Sequence, residues 1–150
     1  MMSVFGTKYV VDTNVLSNLG RRRRGSSFFR RNAVIPEEVL HEAAGFPDLL
    51  QLRDNCYPTT PRVLELLVDI MASVPKGDTR LVDLYKNLGS ADPMIVACAL
   101  AGSEDDSQYL GAEEWKIVTE DVAVISKAKE FGIDVVTLSS FMEFVDNADD

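Results

Sequence analysis

Two hydrophobic rhythms alternate along the chain. "KYVVD", Lys8 to Asp12, is a short β-branched and aromatic run that stops at a polar "DTN", which predicts a buried strand ending at a helix cap. "NVLSNL" then follows helical spacing and predicts a short helix closed by Gly20. "NAVIP", Asn32 to Pro36, predicts a second strand, and "EEVLHEAAG" a helix with Pro36 in its first turn and Gly45 just past its end. A weak third strand is expected around Cys56 and Tyr57. Thr60 and Pro61 cap a helix whose Val63, Leu66, Leu67, Ile70 and Met71 share a face, and Asp78 caps "TRLVDLYKNLG". "DPMIVACALA" is apolar nearly all round and should be central. "WKIVT", a helix from Val122 to Phe131, "DVVTL" and "SSFMEFVDN" read as strand, helix, strand, helix, and "DNADD" as a solvated acidic tail from about residue 146.

Strands alternating with helices pair in parallel through right-handed crossovers, with helices on both faces. The expectation is an α/β/α sandwich of about five strands, interrupted by three consecutive helices before the fourth. At 150 residues, 46% of them hydrophobic, the chain suits one domain spanning 1–150, and it contains no internal repeat or linker. Cys56 and Cys98 are far apart, and Cys98 lies in an apolar run, which fits a reducing cytoplasm. No secretory leader or membrane-spanning stretch is evident, so a membrane partner is not expected.

Charge sharpens this outline. The formal net charge is −9, yet residues 21–31 hold six arginines, which leaves −15 on the rest. Basicity is local here, and acidity is general. Functional groups of an open parallel sheet gather at the carboxyl ends of its strands. Asp12 ends the first strand, and Asp121 stands just beyond the fourth. Asp92 starts a helix descending from that same edge, and Glu42 lies about a turn and a half into the helix after strand two, able to lean back toward it. Glu38, four residues earlier, is a possible substitute. Taken singly, Asp12 and Asp92 also read as helix caps, Glu42 as a solvated residue and Asp121 as a turn residue. Together they form four carboxylates from distant segments, whose repulsion calls for a cation. With oxygen donors and a lone His41, magnesium or manganese fits better than zinc. Such a site suits phosphodiester hydrolysis.

"YVVDTNVLSNL", "VIPEEVLHEAAG", "GSADPMIVACALA" and "IVTEDVAVISKAKEFGIDVVTLSSFMEFV", in this order, resemble the PIN-domain nucleases, in particular the VapC-type toxins of toxin–antitoxin systems. The resemblance implies a five-stranded parallel sheet in the order 3-2-1-4-5 and magnesium- or manganese-dependent RNA cleavage in the cytoplasm. It implies catalytic acids at Asp12, Glu42, Asp92 and Asp121, of which Asp12, Asp92 and Asp121 hold metal. Asn14 and Thr119 match positions that orient those acids. A small antitoxin partner and a homodimer are implied as well. The sequence departs from the pattern in offering three glutamates in "EEVLHEAAG", Pro93 directly after Asp92, and a long acidic "GSEDDSQYLGAEEW".

Other classes fit less well. Asn14 stands where an Asp-x-Asp phosphatase needs its second acid, and neither GxGxxG nor GxxxxGK[ST] occurs. A PIN-like domain used only to bind RNA or protein is the remaining alternative. The arginines, Arg21, Arg22, Arg23, Arg24, Arg30 and Arg31, read as a loop on the flank, either solvated or gripping RNA phosphates while the acids cut. Phe28 and Phe29 within it either stack a base or pack beneath the loop.

Overall fold

The computed structural model describes residues 6–73, 91–106 and 114–148. Its centre is β1 (Thr7–Val11), whose last three residues are buried. A strand with β-branched residues on both faces is stable only between two covering layers. β2 (Ala33–Pro36), fully buried, pairs with one side of β1, and β4 (Glu114–Val118) with the other. β3 (Cys56–Tyr57) and β5 (Asp134–Val136) form the edges. Every pairing is parallel, in the order β3-β2-β1-β4-β5. The five strands and their order are those expected from the sequence.

Helices complete the outer layers. α1 (Thr13–Arg24) and α2 (Ser27–Asn32) pack with α8 (Leu138–Asn147), while α5 (Pro61–Ala72), α6 (Ala91–Asp106) and α7 (Val122–Glu130) pack together. α3 (Glu37–Glu42) and a single turn, α4 (Leu49–Leu52), follow β2. The expected helix over "TRLVDLYKNLG" falls outside the described residues. α3 stops at Glu42, before Gly45, and α4 with the 3₁₀ turn Arg53–Asn55 was too short to show a period. α6 is buried from Met94 to Ala99, as its apolar sequence requires. Among the described residues no helix is long and apolar enough to cross a membrane. Burial pushes the Cys98 thiol up to about 12, so it packs as an inert hydrophobe.

Three predictions from sequence are corrected by the structure. Gly20 does not close the first helix but kinks it: at φ 79° and ψ 162° the chain turns in a conformation reserved for glycine, and helix resumes through Arg24. The arginine segment is therefore not a loop, since Arg21 to Arg24 end α1, and Arg30 and Arg31 belong to α2, capped by Ser26. Nor does the acidic tail begin at residue 146. Asp146 and Asn147 complete α8, and Asp146 accepts two hydrogen bonds from Arg23, both 3.0 Å, and one from Arg22 at 3.4 Å.

Gly102 of α6 marks the closest approach between helix and sheet. A Cβ there would fall onto the ring of Trp115 in β4, whose Nε1 donates to Asp106 at 2.6 Å. Gly102→Ala is expected to destabilise the fold by about 1–3 kcal/mol through overpacking. Because Trp115 is the sole tryptophan, a thermal melt read by its fluorescence should show both the loss and a changed folded-state emission.

Candidate active site

β1 and β4 lie side by side at the point where the strand order reverses. A crevice opens there, because the chains leaving the two strands diverge. It is a cavity of about 490 Å³ lined by Asp12, Thr13, Asn14, Glu42, Glu120 and Asp121, with Val15, Ser17, Asn18 and Leu138 completing the wall. Among the described residues four carboxylates share this wall, and no basic side chain does.

Asp12 follows β1 directly and caps α1. Its Oδ1 accepts from Val15 N at 2.8 Å, and its Oδ2 from Thr119 Oγ1 at 3.3 Å. It is only 6% exposed. Burial raises its pKa above the ordinary carboxylate value, and the charge of Asp121 adds to the rise, while the two hydrogen bonds oppose it. Asp121 caps α7, its Oδ1 accepting from Ala123 N at 2.9 Å and Val124 N at 3.3 Å. Thr119 sits between them, donating to Asp12 and accepting from Asp121 N at 3.1 Å. A single buried hydroxyl thus sets the spacing of two acids from different strands.

Glu42 reaches the cavity from the last turn of α3, held by a 2.7 Å hydrogen bond from Thr13 Oγ1. Glu38, on the same helix, does not line it. Asn14 lines the rim with its side chain exposed. Asp92 is the second residue of α6, and its side chain lies outside the described residues. His41 lines a separate shallow groove with Glu37 and Arg53, away from the acids.

Two wall residues had escaped the sequence reading. Glu120 accepts from Leu138 N at 2.6 Å and so ties the start of α8 to the cavity, and Thr13 positions Glu42. Each flanks a residue that was singled out. The sequence contained their hydrogen-bonding groups but nothing to say which way they point.

The donor set suits a hard divalent cation. Among the described residues, Asp121 Oδ2, Glu42 Oε2 and Glu120 Oε1 accept no hydrogen bond, so each acid keeps an oxygen for a further ligand. Burial, and to a lesser degree the charge of Asp121, raises the pKa of Asp12, and a nearby cation would offset both. The described acids do not by themselves converge, because no three His, Cys, Asp or Glu among them stand close enough to hold one ion.

The arginines have other surroundings. Arg24 is buried, with Nε and Nη2 each 2.9 Å from the Asp48 carboxylate, Nη1 2.7 Å from Leu16 O, and the guanidinium 4.5 Å above the Phe46 ring. Arg23 is clasped to Asp146. Phe29 is fully buried, and Phe28 packs against Tyr9 and Phe141, at 5.9 and 6.0 Å between ring centroids, so both support the fold instead of meeting a base.

An open parallel sheet with an acid-lined crevice at its switch point defines the class of α/β protein. The chain belongs to the PIN-domain family, whose model matches residues 9–139. PIN domains are in general metal-dependent nucleases that act on nucleic acid, and the fold here is a nuclease fold. No curated protein matches the chain.

Proposed function

We propose that the chain is a metal-dependent endoribonuclease hydrolysing RNA phosphodiester bonds. One observation carries the reading: Asp12, buried and held by Thr119 beside Asp121, faces a cavity whose described wall has four carboxylates and no basic side chain. Asp12, Asp121 and Asp92 are the proposed metal ligands, with Glu42 the fourth catalytic acid. Oxygen donors alone favour magnesium or manganese. A divalent ion there would polarise a phosphoryl oxygen and supply hydroxide near neutral pH. The chain's own part is to favour the charged form of Asp12 through the hydrogen bond from Thr119, to hold Asp121 beside it through the same hydroxyl, to steady Glu42 through Thr13, and to offer the Asn14 amide at the rim.

The decisive experiment is incubation of purified protein with RNA and magnesium or manganese. Cleavage is expected, to stop with excess chelator and to return when metal is restored; intact RNA with both metals would refute the reading. The proposal extends to the toxin of a toxin–antitoxin pair, working as a cytoplasmic homodimer restrained by a small antitoxin, on the sequence resemblance to VapC-type toxins. Growth arrest on induced expression, absent with Asp12→Asn, is the matching observation.

A second reading, a non-catalytic module that binds RNA or protein, is favoured by the lack of three converging ligands among the described residues. It predicts RNA retention without cleavage under the same conditions.

A further inference from the structure

α1 connects the acid cavity to the arginine cluster. Leaving Asp12, it contains no acidic residue in a chain with 24 of them. Exposed Asn14, Ser17 and Asn18, at helical spacing, line the cavity and continue down the flank to the kink at Gly20, beyond which Arg21 and Arg22 are exposed. Arg30 and Arg31 of α2 are exposed as well. Lys8 Nζ donates to Arg31 O at 3.3 Å, tying the end of α2 to the start of β1. That is the edge opposite Asp12. Four residues of strand separate Lys8 from Asp12, about 13 Å, and the helix from Thr13 to Leu19, about 9 Å long, followed by the kink at Gly20, separates Thr13 from Arg21.

The six arginines divide into two groups. Arg23 and Arg24 are consumed by Asp146 and Asp48, and Arg22 leans on Asp146 at 3.4 Å. Arg21, Arg30 and Arg31 make no ion pair among the described residues. On a molecule carrying −15 elsewhere, a polyanion is repelled by most of the surface and attracted here.

We propose that Arg21, Arg30 and Arg31 form a distal grip for the RNA backbone, with the polar stripe of α1 as the path from grip to cavity. At about 3.4 Å per nucleotide along a helical strand, an offset of about 9–13 Å corresponds to about three to four nucleotides between the held and the cleaved phosphates. The substrate class is then RNA extending several nucleotides to one side of the cut, such as the stem of a hairpin, and not a di- or trinucleotide. An acidic protein segment is the competing occupant. RNA is favoured because the stripe leads to the cavity and because guanidinium forks match phosphate geometry. The inference rests on the nucleic-acid part of the proposed function and not on cleavage, so the two are tested apart.

The test uses Asp12→Asn protein without metal, which removes cleavage from the measurement. Fluorescence anisotropy compares a labelled hairpin with a 12-base-pair stem, a labelled trinucleotide and a polyglutamate peptide. Arg21→Ala/Arg30→Ala/Arg31→Ala should weaken hairpin binding at least tenfold, and the slope of log affinity against log salt should fall by about two to three, near 0.9 per lost phosphate contact. The trinucleotide should lose at least fivefold less than the hairpin. The triple Arg→Lys variant should retain most of the salt slope, which separates charge from misfolding. Equal losses for both RNAs, or an unchanged slope, would overturn the grip. Loss of polyglutamate binding with hairpin binding intact would overturn it in favour of an acidic protein partner. Arginine-dependent hairpin binding by a wild type that cuts no RNA would keep the grip and discard the nuclease.

Discussion

Asp12→Asn is expected to cost on the order of 10²–10³ in RNA cleavage, about 3–4 kcal/mol of transition-state stabilisation, while leaving the fold intact. Asparagine caps a helix as well as aspartate does, so the bond to Val15 N and the packing at the head of α1 persist. The charge is lost, and the amide nitrogen that replaces Oδ2 donates to Thr119 Oγ1 where the carboxylate had accepted. The effect of the charge on stability has a definite sign. Because burial raises the folded-state pKa of Asp12, this group's contribution to stability is full below the ordinary aspartate value and is lost as pH rises through the raised value. The neutral variant avoids that loss. In urea melts without metal, Asp12→Asn should therefore gain on the wild type from pH 4 to pH 8, while its cleavage rate stays down throughout. A variant that is inactive and also markedly less stable at pH 8 would mean that Asp12 serves the fold and not the chemistry.

Arg24→Met is expected to destabilise the chain by about 3–5 kcal/mol, because it strands the Asp48 carboxylate in a buried site without its partner. Against a total stability of about 5–15 kcal/mol, this is a large fraction for a single side chain. Arg24 and Asp48 are 6% and 8% exposed, and their paired 2.9 Å contacts join α1 to the turn before α4. Arg24→Met/Asp48→Leu should recover most of the loss, since a well-packed apolar pair can replace a buried ion pair at little cost. The hydrogen bonds from Arg24 hold the pKa of Asp48 below the ordinary carboxylate value. The pair's contribution is consequently present above the ordinary value and lost as pH falls through the lowered one. Acid titration of thermal midpoints should show wild type and Arg24→Met converging at low pH. Parallel curves would locate the stabilising contact elsewhere.

The two predictions concern neighbouring parts of α1 that the sequence disclosed unequally. Strands were legible because "YVV", "AVIP" and "KIV" are short apolar runs bounded by polar residues, and Asp12 and Thr60 were legible as caps because each precedes a helical pattern, whereas the capping role of Asp121 emerged only from the structure. The pocket wall could be anticipated at Asp12, Glu42 and Asp121 because strand ends and first helical turns share one edge. The arginine segment was opaque for a physical reason. Periodicity is carried by apolar residues, and "RRRR" has none, although arginine is a good helix former. Glycine both ends and kinks helices, so Gly20 could not announce which it does. The partners of Arg24 and Arg23 lie 24 and 123 residues away, beyond any local pattern.

The bond from Thr119 to Asp12 spans 107 residues of sequence. β1 lies at the centre of the sheet but receives one of its two neighbours, β4, only after most of the chain has been made. During synthesis, domains form as units, and pairings so remote in sequence are among the last to close. A nascent chain that already displays Asp12 and Glu42 still lacks the strand and the hydroxyl that bury and space the acids. The acid-lined cavity is therefore completed only once β4 and Thr119 have been made, however early Asp12 and Glu42 emerge.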